Sequence, residues 1–265
     1  MAPHAARRHG ARAWVRCYAE LNDFLPPGER FADRPVDFDV SPSVKDVIER
    51  IGVPHTEVDL VVVGGESVDF AYRVRDGDRI SVYPKFETVD VGPIVKVRPE
   101  PLRVTRFVVD GHLGRLARSL RLAGFDTDYD ARRDDRSLAR VSVDEGRILL
   151  TRDRGLLKRG EVSHGHVVRA SDPRSQLVEV LRRFDLGDRL DPFTRCLACN
   201  GVLRDATDAE VAGRVAASVR RRHRSFRACP DCGRVYWEGT HHAHLTRFLE
   251  DVRCLTDRGR LDPRA

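Results

Sequence analysis

The sequence predicts an α/β protein whose main domain is a three-layer parallel sheet, preceded by a small mixed sheet and followed by a metal-binding ribbon. In residues 103–187 strand and helix signals alternate, which is typical of parallel sheets covered by helices. Residues 12–88 carry strand signals around one short helix, and residues 190–250 contain two Cys-x-x-Cys pairs. We therefore expect three domains with these boundaries.

The composition is typical of a globular protein. Hydrophobic residues make up 41% and charged residues 33% of the 265 residues, which argues against global disorder. No apolar run approaches the ~20 residues that a membrane helix needs, and the basic first residues lack the apolar stretch of a secretory signal. We expect a cytoplasmic protein without a membrane segment. The formal charge of +6 favours a polyanionic partner, although arginine richness can also reflect genome composition.

The first region predicts a small mixed sheet that grips one helix. ARAWVRCYA and RPVDFDV have strand patterns, and SPSVKDVIERIG is a helix with Ser41 as its N-cap and Pro42 at its first position. VDLVVV, ESVDFAY and RISVYP follow as strands, separated by a Gly-Gly turn and an Asp-Gly turn. The proline-containing segment VDVGPIVKVRPEPLR is then expected to be a linker.

The second region alternates four strands with three helices. RVTRFVVD, FDTDYD, RILLT and HVVRA are the predicted strands. GHLGRLARSLRLAG, DDRSLARVSVDEG and SDPRSQLVEVLRRF are the predicted helices, with Gly124 expected to cap the first of them. This order predicts the parallel sheet.

Two cysteine pairs of matched spacing predict a structural zinc site. Cys196 and Cys199 form one pair, and Cys229 and Cys232 form the other. Zn²⁺ takes four ligands in a tetrahedron, and two such turns supply four thiolates. A dithiol redox pair is the alternative, but redox motifs rarely come doubled with matching turns. The two remaining thiols are expected to stay unpaired: Cys17 and Cys254.

The insert between the cysteine pairs predicts one helix followed by a cationic run. Residues 207–210 form a Thr-x-x-Glu capping box. Three valines share one face of that helix: Val211, Val215 and Val219. In the run that follows, Arg221 and Arg222 are expected to contact phosphates, or else to be solvated cations at a helix end. With four thiolates available for zinc, three histidines are expected at the surface or at the substrate: His241, His242 and His244.

Carboxylates follow two strands of the predicted parallel sheet. Asp110 directly follows RFVV, and Asp153 follows RILLT by one residue. Ligands of open α/β sheets bind beyond the carboxyl ends of the strands, so both acids are expected at one edge. Asp134 and Asp135, at a helix start, would add a third acid. Acids without a Ser–His or Cys–His pairing suggest Mg²⁺ or Mn²⁺, which take oxygen ligands.

Each of these acids also has a structural interpretation. An aspartate after a strand is often a turn former, and an aspartate at a helix start is often a cap. The functional interpretation gains from Arg152 and Arg154, which flank Asp153 and could hold a phosphodiester. A divalent cation at such a site can activate water and stabilise displacement at phosphorus.

Three blocks of the sequence together resemble the PIN-like ribonuclease family named for the carboxyl end of the mut-seven exonuclease. They are RFVVDGHLGRLARSLRLAGFDT, DDRSLARVSVDEGRILLTRDRGLL and CPDCGRVYWEGTHHAHL, all within residues 103–250. The resemblance implies a PIN-like nuclease domain with a zinc ribbon appended. Many members also carry an N-terminal ubiquitin-like β-grasp domain, which GDRISVYPKFE and the strand order of residues 12–88 match.

By position in these motifs, the resemblance implies that Asp110, Asp135 and Asp153 form the metal-binding acidic set. Asp134 is the substitute if the register differs by one residue. Asp172 is a candidate for the fourth acid that PIN enzymes usually bring.

These observations lead to three hypotheses. The first is a ribonuclease that holds structural Zn²⁺ and uses Mg²⁺ or Mn²⁺ at its aspartates. The second is a non-catalytic RNA-binding or adaptor protein whose acids are structural. The third is a β-grasp partner module in sulfur or modification chemistry. Sulfur carriers act through a free Gly-Gly terminus, whereas Gly64 and Gly65 are internal here, so we expect the β-grasp domain to dock RNA or a protein partner.

Overall fold

The computed structural model describes residues 10–84, 97 and 104–261, and leaves out the side chains of 258–261. Within the predicted linker at residues 89–103, Val97 is described and the other residues lie outside the described part of the chain. The predicted strand RVTRFVVD is described from Val104 onwards. The basic residues 1–9 also lie outside the described part.

The chain divides into two compact units. The first unit contains residues 1–101 and 153–165. The second unit contains residues 102–152 and 166–265. A short segment from the middle of the sequence therefore groups with the N-terminal sheet.

The first unit contains a five-stranded mixed sheet with one helix. Its strands are β1 (Ala11–Cys17), β2 (Arg34–Phe38), β3 (Leu60–Val63), β4 (Glu66–Ser67) and β5 (Arg79–Tyr83), in the order β2-β1-β5-β3-β4. The central strands β1 and β5 are parallel, and the other pairs are antiparallel. Helix α1 (Val44–Arg50) buries three side chains: Val44, Val47 and Ile48. This β-grasp-like arrangement confirms the predicted fold.

The N-cap of α1 is Ser43, so the predicted cap at Ser41 is wrong. The Ser43 side chain accepts the N–H of Asp46, and the Asp46 carboxylate accepts the N–H of Ser43 in return. This capping box satisfies two N–H groups reciprocally, which a cap at Ser41 would not do.

The predicted strand ESVDFAY is also wrong beyond its first two residues. The strand paired with β3 is β4 (Glu66–Ser67), after which one more backbone bond runs from the N–H of Val68 to the carbonyl of Val61. The chain turns at Asp69, whose carboxylate accepts the N–H of Ala71 at 2.9 Å and whose carbonyl accepts the N–H of Tyr72. An aspartate that bonds the backbone two residues later favours a turn over a strand.

Residues 153–165 pack within the first unit through polar contacts. This segment contains the short helix α4 (Arg154–Leu157). The Arg154 guanidinium donates to the carbonyl of Phe24 at 3.1 Å and lies 4.9 Å from the centre of its ring. The buried His55 has Nε2 2.7 Å from the carbonyl of Val162, and Lys158 donates to a carbonyl of α1. The segment is thus held by α1 and by two connections of the first unit, the one between β1 and β2 and the one between α1 and β3.

The second unit is built on a four-stranded sheet. Its strands are β6 (Arg106–Val109), β7 (Asp126–Tyr129), β8 (Ile148–Thr151) and β9 (Gly165–Val167), in the order β7-β6-β8-β9. Strand β6 runs parallel to both of its neighbours, which confirms the predicted parallel sheet.

Four helices accompany this sheet: α2 (Gly114–Leu122), α3 (Asp135–Asp144), α5 (Pro173–Arg183) and α8 (Thr240–Leu261). Apolar residues from the strands and from α2, α5 and α8 form one buried cluster, which includes Phe107, Leu116, Leu150, Leu181 and Val252. Burial of these side chains supplies most of the driving force for this unit, since each is worth about 1.5–3 kcal/mol.

A three-stranded antiparallel ribbon completes the second unit. Its strands are β10 (Arg204–Asp205), β11 (Phe226–Ala228) and β12 (Val235–Trp237). The single helix predicted in the insert is wrong, because the chain forms α6 (Asp208–Arg214) and α7 (Ala217–Arg222). Val215 and Ala216 between them have extended backbones, and the Val215 side chain is buried. No helix among the described residues is long and apolar enough to cross a membrane.

Gly124 provides a test of the packing between α2 and the chain that leads to the ribbon. Its φ is +98°, and a Cβ there would lie 2.2 Å from the carbonyl oxygen of Asp191. We expect Gly124→Ala to lower the free energy of unfolding by about 1–3 kcal/mol because alanine would strain the backbone at this φ. The close contact with Asp191 would add to this loss. Urea denaturation would measure the change.

The matched control is Gly213→Ala in α6, where a Cβ meets no atom within 4 Å. This control should be neutral or stabilise the protein by up to about 1 kcal/mol, because alanine favours helices. Equal stability of the Gly124 variant and this control would contradict the described packing.

Candidate active site and metal centre

Asp110 lies where β6 ends, at the carboxyl end of the parallel sheet. Its N–H donates to the carbonyl of Leu150 at 3.0 Å, which extends the β6–β8 pairing to this residue. Its Oδ2 accepts the hydroxyl of Thr151 at 2.6 Å, and its Oδ1 lies 3.4 Å from the N–H of His112. These bonds hold a half-buried carboxylate in one orientation and leave lone pairs on both oxygens.

The turn after Asp110 depends on close packing against Tyr129 at the end of β7. The Tyr129 hydroxyl donates to the carbonyl of Gly111 at 2.9 Å. A Cβ on Gly114 would lie 2.5 Å from the same hydroxyl oxygen. Glycine at this position therefore lets α2 begin directly against the tyrosine ring. Gly114 of the D-G-H-L-G segment thus has a structural reason beside the acid.

Three other predicted acids lie at helix starts. Asp134 caps α3 by accepting the N–H of Ser137 at 2.8 Å. Asp172 caps α5 by accepting the N–H groups of Arg174 and Ser175. Asp135 is the first residue of α3, exposed, and its carboxylate has no partner among the described residues. Of these acids, Asp135 is the one whose carboxylate is not used for capping.

Asp153 and its two flanking arginines differ in their surroundings. Asp153 is exposed and caps α4, accepting the N–H of Gly155 at 2.7 Å. The guanidinium of Arg154 is engaged by Phe24, as described above. Arg152 is exposed and pairs with none of the residues that the structure describes. Arg152 is therefore the better placed of the two to meet a phosphate.

The four predicted zinc ligands come together. The Sγ atoms of Cys196, Cys199, Cys229 and Cys232 all lie within 4.8 Å of one another. The separation between Cys196 and Cys232 is 3.5 Å, and that between Cys199 and Cys229 is 3.4 Å. A tetrahedron with Zn–S bonds of ~2.3 Å has sulfurs about 3.8 Å apart, whereas a disulfide needs ~2.0 Å. The four cysteines could hold a structural metal such as zinc.

Cys196 has surroundings that favour a thiolate ligand. Burial opposes ionisation, yet hydrogen bonds from the Tyr236 hydroxyl and from backbone N–H groups lower the pKa of Cys196 to about 6. The Tyr236 oxygen lies 3.1 Å from Cys196 Sγ. Metal-bound sulfur is commonly supported by such donors, which stabilise its negative charge.

Among the described residues, the four cysteines bring three or more potential metal-ligand atoms close together. No group of aspartates in this part of the chain does so. The grouping of Asp110, Asp135 and Asp153 at one metal therefore stays a prediction. The three histidines near the start of α8 are not part of the cysteine cluster. His242 instead stacks on Phe193 with ring centres 4.1 Å apart.

The first cysteine turn is bonded to β7, the edge strand of the parallel sheet. The Asn200 side chain accepts the N–H of Thr127 at 2.9 Å and donates to the carboxylate of Asp126 at 2.8 Å. Arg121 donates to the carbonyl of Thr127 at 2.9 Å and to that of Ala198 at 2.8 Å. The candidate metal centre and the parallel sheet therefore share one hydrogen-bonded network.

Asp126 is the anionic centre of this network. Burial works against its charge, but hydrogen bonds from Arg147 and Asn200 outweigh that effect and hold the pKa of Asp126 below its ordinary value. Arg147 lies 2.7 Å from Asp126 Oδ1. An ionised, paired aspartate thus anchors Asn200 at the edge of the sheet.

Several of these residues escaped the sequence interpretation. Thr151 is the last residue of the predicted strand RILLT, and Asn200 directly follows the first cysteine pair, but neither position indicates the contacts that these side chains make. Arg121 and Tyr236 lie within the blocks that carry the family resemblance, but their partners Ala198 and Cys196 are 77 and 40 positions away in the sequence. One signal could have pointed to Thr151: it ends a strand whose predicted neighbour in the sheet is followed by an aspartate, Asp110.

The cationic run between the cysteine pairs is exposed. Arg221 and Arg222 end α7, and neither pairs with a residue that the structure describes. Both of their predicted roles, phosphate contact and solvated helix end, need such free guanidinium groups.

The fold and the site define an α/β protein with a β-grasp-like N-terminal region and a ribbon whose four cysteines could hold a structural metal. The chain matches the Mut7-C RNAse domain over residues 105–249, more than half of its length, and the Mut7-C ubiquitin domain over residues 10–90. The protein therefore belongs to the Mut7-C RNase family.

A curated relative agrees with this assignment. The chain is 37% identical to the exonuclease mut-7 homolog of Homo sapiens over 106 residues, which cover 38% of this chain and 12% of that protein. The match thus spans a small part of the relative's length. No solved structure was found to match this chain. The family and the relative support a nuclease-type function.

The bond between the cysteine turn and the sheet can be tested with Asn200→Ala. This change leaves the buried N–H of Thr127 without its acceptor and frees the Asp126 carboxylate from one donor. We expect the free energy of unfolding to fall by about 1–3 kcal/mol, the penalty for an unsatisfied buried group. Urea denaturation of the metal-loaded protein would measure it.

The control is Val202→Ala, since Val202 is 61% exposed and lies two residues farther along the same turn. Exposed substitutions usually change stability by less than about 0.5 kcal/mol. If the Asn200 variant were as stable as this control, the network would not link the turn to the sheet.

Proposed function

We propose that the protein is a divalent-metal-dependent ribonuclease that hydrolyses RNA phosphodiester bonds. The observation that carries the proposal is the oriented carboxylate of Asp110 at the carboxyl end of β6, inside the region that matches the Mut7-C RNAse domain. Ligands of open α/β sheets bind at such an edge. We also propose that this domain has a PIN-like fold and that the protein is cytoplasmic. The domain boundaries given above, 12–88, 103–187 and 190–250, are part of the same proposal.

In this proposal Asp110, Asp135 and Asp153 hold Mg²⁺ or Mn²⁺. Carboxylate oxygens suit these ions, and a cation held there would lower the pKa of bound water and neutralise charge on the phosphate. The Thr151 hydroxyl keeps Asp110 Oδ2 in place, as partners of metal-ligating carboxylates commonly do. The N–H of Gly155 donates to Oδ1 of Asp153 at 2.7 Å, which orients this carboxylate at the start of α4.

Cations of the chain supply the phosphate contacts. Arg152, next to Asp153, is exposed and free to neutralise the scissile phosphate, whereas Arg154 contributes mainly by fixing the segment that follows Asp153. Arg221 and Arg222 bind the RNA backbone farther along. Structural Zn²⁺ at the four cysteines orders the ribbon that carries these arginines.

The alternative is a non-catalytic RNA-binding or adaptor protein. Its support is that Asp134, Asp153 and Asp172 all serve as helix caps, a role that needs no metal. The β-grasp-like region would then dock a protein partner, as ubiquitin-like domains can. In this alternative, RNA binding depends on salt but not on Mn²⁺, and there is no turnover.

The ribonuclease proposal is tested by cleavage of an end-labelled RNA pool with Mn²⁺, with Mg²⁺ and without added metal. Asp110→Asn keeps the size of the side chain and removes the charge that would bind the cation. We expect Thr151→Val to lower cleavage roughly 10- to 100-fold, the loss typical of removing a hydrogen-bond partner of a metal ligand. Asp110→Asn should lower cleavage by more than this, because it changes the ligand itself.

The matched control is Asp144→Asn, because Asp144 is exposed at the end of α3 and has no partner among the described residues. It should cleave like the unchanged protein. Cleavage that survives Asp110→Asn, or that ignores the metal, would refute the proposed mechanism. Tight RNA binding without turnover in any condition would favour the adaptor.

The zinc proposal has its own test, independent of activity. We expect about one zinc per chain by elemental analysis of the purified protein, and loss of that zinc in Cys229→Ser, whose thiol is fully buried in the cluster. The variant should also unfold more easily, because metal affinity contributes to folding free energy. Cys254→Ser, at an exposed isolated thiol, is the control and should retain the metal. Unchanged zinc content in Cys229→Ser would contradict the site.

A further inference from the structure

A groove on the ribbon face of the second unit has features that the proposed cleavage site does not use. Its volume is about 790 Å³, within the range of ligand-binding pockets. One wall comes from the chain that leads into the first cysteine turn, around Phe193, and the other from β12 and the start of α8. Arg118 of α2 lies at the groove as well.

Aromatic rings line both walls of this groove. Trp237 is 38% exposed, although it is one of the largest apolar side chains of the unit. Gly239 lies close to its indole, since a Cβ at Gly239 would come within 2.9 Å of Trp237 Nε1. Phe193, on the other wall, stacks on His242 at the start of α8. The exposed indole offers a flat face for stacking.

Cations with unused donors lie beside these rings. Arg118 is exposed and pairs with none of the described residues. Arg227 donates to the carbonyl of Leu203, but its Nε is buried and has no acceptor within the described part of the chain. An adjoining depression of about 590 Å³ shares Arg118 and adds Arg214 and Arg234. The groove therefore continues into a cationic track.

We propose that this groove binds single-stranded RNA, with a base stacked on Trp237 and the neighbouring phosphates contacted by Arg118 and Arg227. Proteins that bind single strands combine a positively charged groove with exposed aromatic faces on which bases stack. The inference rests on the proposed ribonuclease function and deepens it, because it assigns the substrate as single-stranded RNA and gives the ribbon a binding role.

The chemistry favours RNA over an acidic peptide. The carboxylates of an acidic peptide could accept hydrogen bonds from the arginines, but they would leave the face of Trp237 without a planar group to stack on it. The groove also carries two acids of its own, Asp205 and Glu238, which repel phosphates and carboxylates alike, so the exposed indole is the group that distinguishes the two ligands. A base on the indole with phosphates at the arginines uses both sets of groups.

The test measures binding separately from cleavage. Fluorescence anisotropy would follow a labelled oligouridylate of about 12 nucleotides with the full-length, zinc-loaded Asp110→Asn protein and no added Mg²⁺ or Mn²⁺. We expect Trp237→Ala to weaken binding roughly 5- to 150-fold, the range of one base–aromatic stack, and Trp237→Phe to restore most of it. Duplex RNA of equal length should bind more weakly and be insensitive to Trp237→Ala.

Arg118→Gln tests the phosphate contact. It should reduce the slope of log affinity against log salt concentration by about 0.7, the value for one phosphate on a single strand. Phe31→Ala is the aromatic control, because Phe31 is 65% exposed and lies outside the groove. Arg140→Gln is the control for charge, at an exposed arginine of α3 without a partner among the described residues. Both controls should bind RNA normally.

Three results would overturn the inference. The first is unchanged oligouridylate affinity in Trp237→Ala, with zinc content and circular dichroism also unchanged. The second is equal weakening by the Phe31 and Trp237 variants. The third is displacement of the RNA by an acidic peptide whose own affinity drops in Trp237→Ala, which would make the groove a protein-binding site.

The groove and the nuclease can fail independently. If the unchanged protein binds oligouridylate through Trp237 but cleaves no RNA with any metal, the groove stands and the ribonuclease proposal fails. If cleavage requires Asp110 but Trp237→Ala binds and cleaves single strands normally, the nuclease stands and the groove fails.

Discussion

The first cysteine turn closes the edge of the parallel sheet where another strand would otherwise be needed. An edge strand presents N–H and C=O groups that require partners. On β7, the N–H of Thr127 donates to Asn200 and its carbonyl accepts from Arg121. Asn200 reaches the strand from a left-handed backbone, φ 75°, which asparagine tolerates better than most residues. Side chains thus satisfy the edge that a fifth strand would have covered.

This closure extends to the candidate active site along the same strand. Two residues after Thr127, the hydroxyl of Tyr129 donates to the carbonyl of Gly111, directly after Asp110. Thr151 of β8 then holds Asp110 from the other side. The cysteine turn, β7 and the turn that presents Asp110 therefore form a continuous set of bonded groups. A metal that orders the cysteine turns would contribute to the placement of Asp110 through this set, since its binding free energy is also folding free energy.

Local signals in the sequence were sufficient for many of the helices and strands, but not for the short β4, for the break between α6 and α7, or for the contacts between elements. The apolar run ILLT predicted β8 and the doubled cysteine pairs predicted the cluster of four thiols, because burial and ligand spacing are local properties. The N-cap of α1 was misplaced between two serines, although Asp46 three residues after Ser43 marked the correct one. The bond between Thr127 and Asn200 joins residues that are 73 positions apart, and no local pattern specifies such a pair.

The grouping of residues 153–165 with the first unit shows that the two family matches are not two separate packing units. This segment lies within the sequence that matches the Mut7-C RNAse domain, yet Arg154 binds Phe24 and Val162 binds His55. His55 is buried, so its Nε2 needs the carbonyl of Val162 as a partner whenever the first unit is folded. The segment also begins with Asp153, one of the proposed metal ligands. The β-grasp-like region consequently fixes the backbone that follows this acid, and a chain that lacked the region would lose those contacts while keeping every residue of the nuclease match.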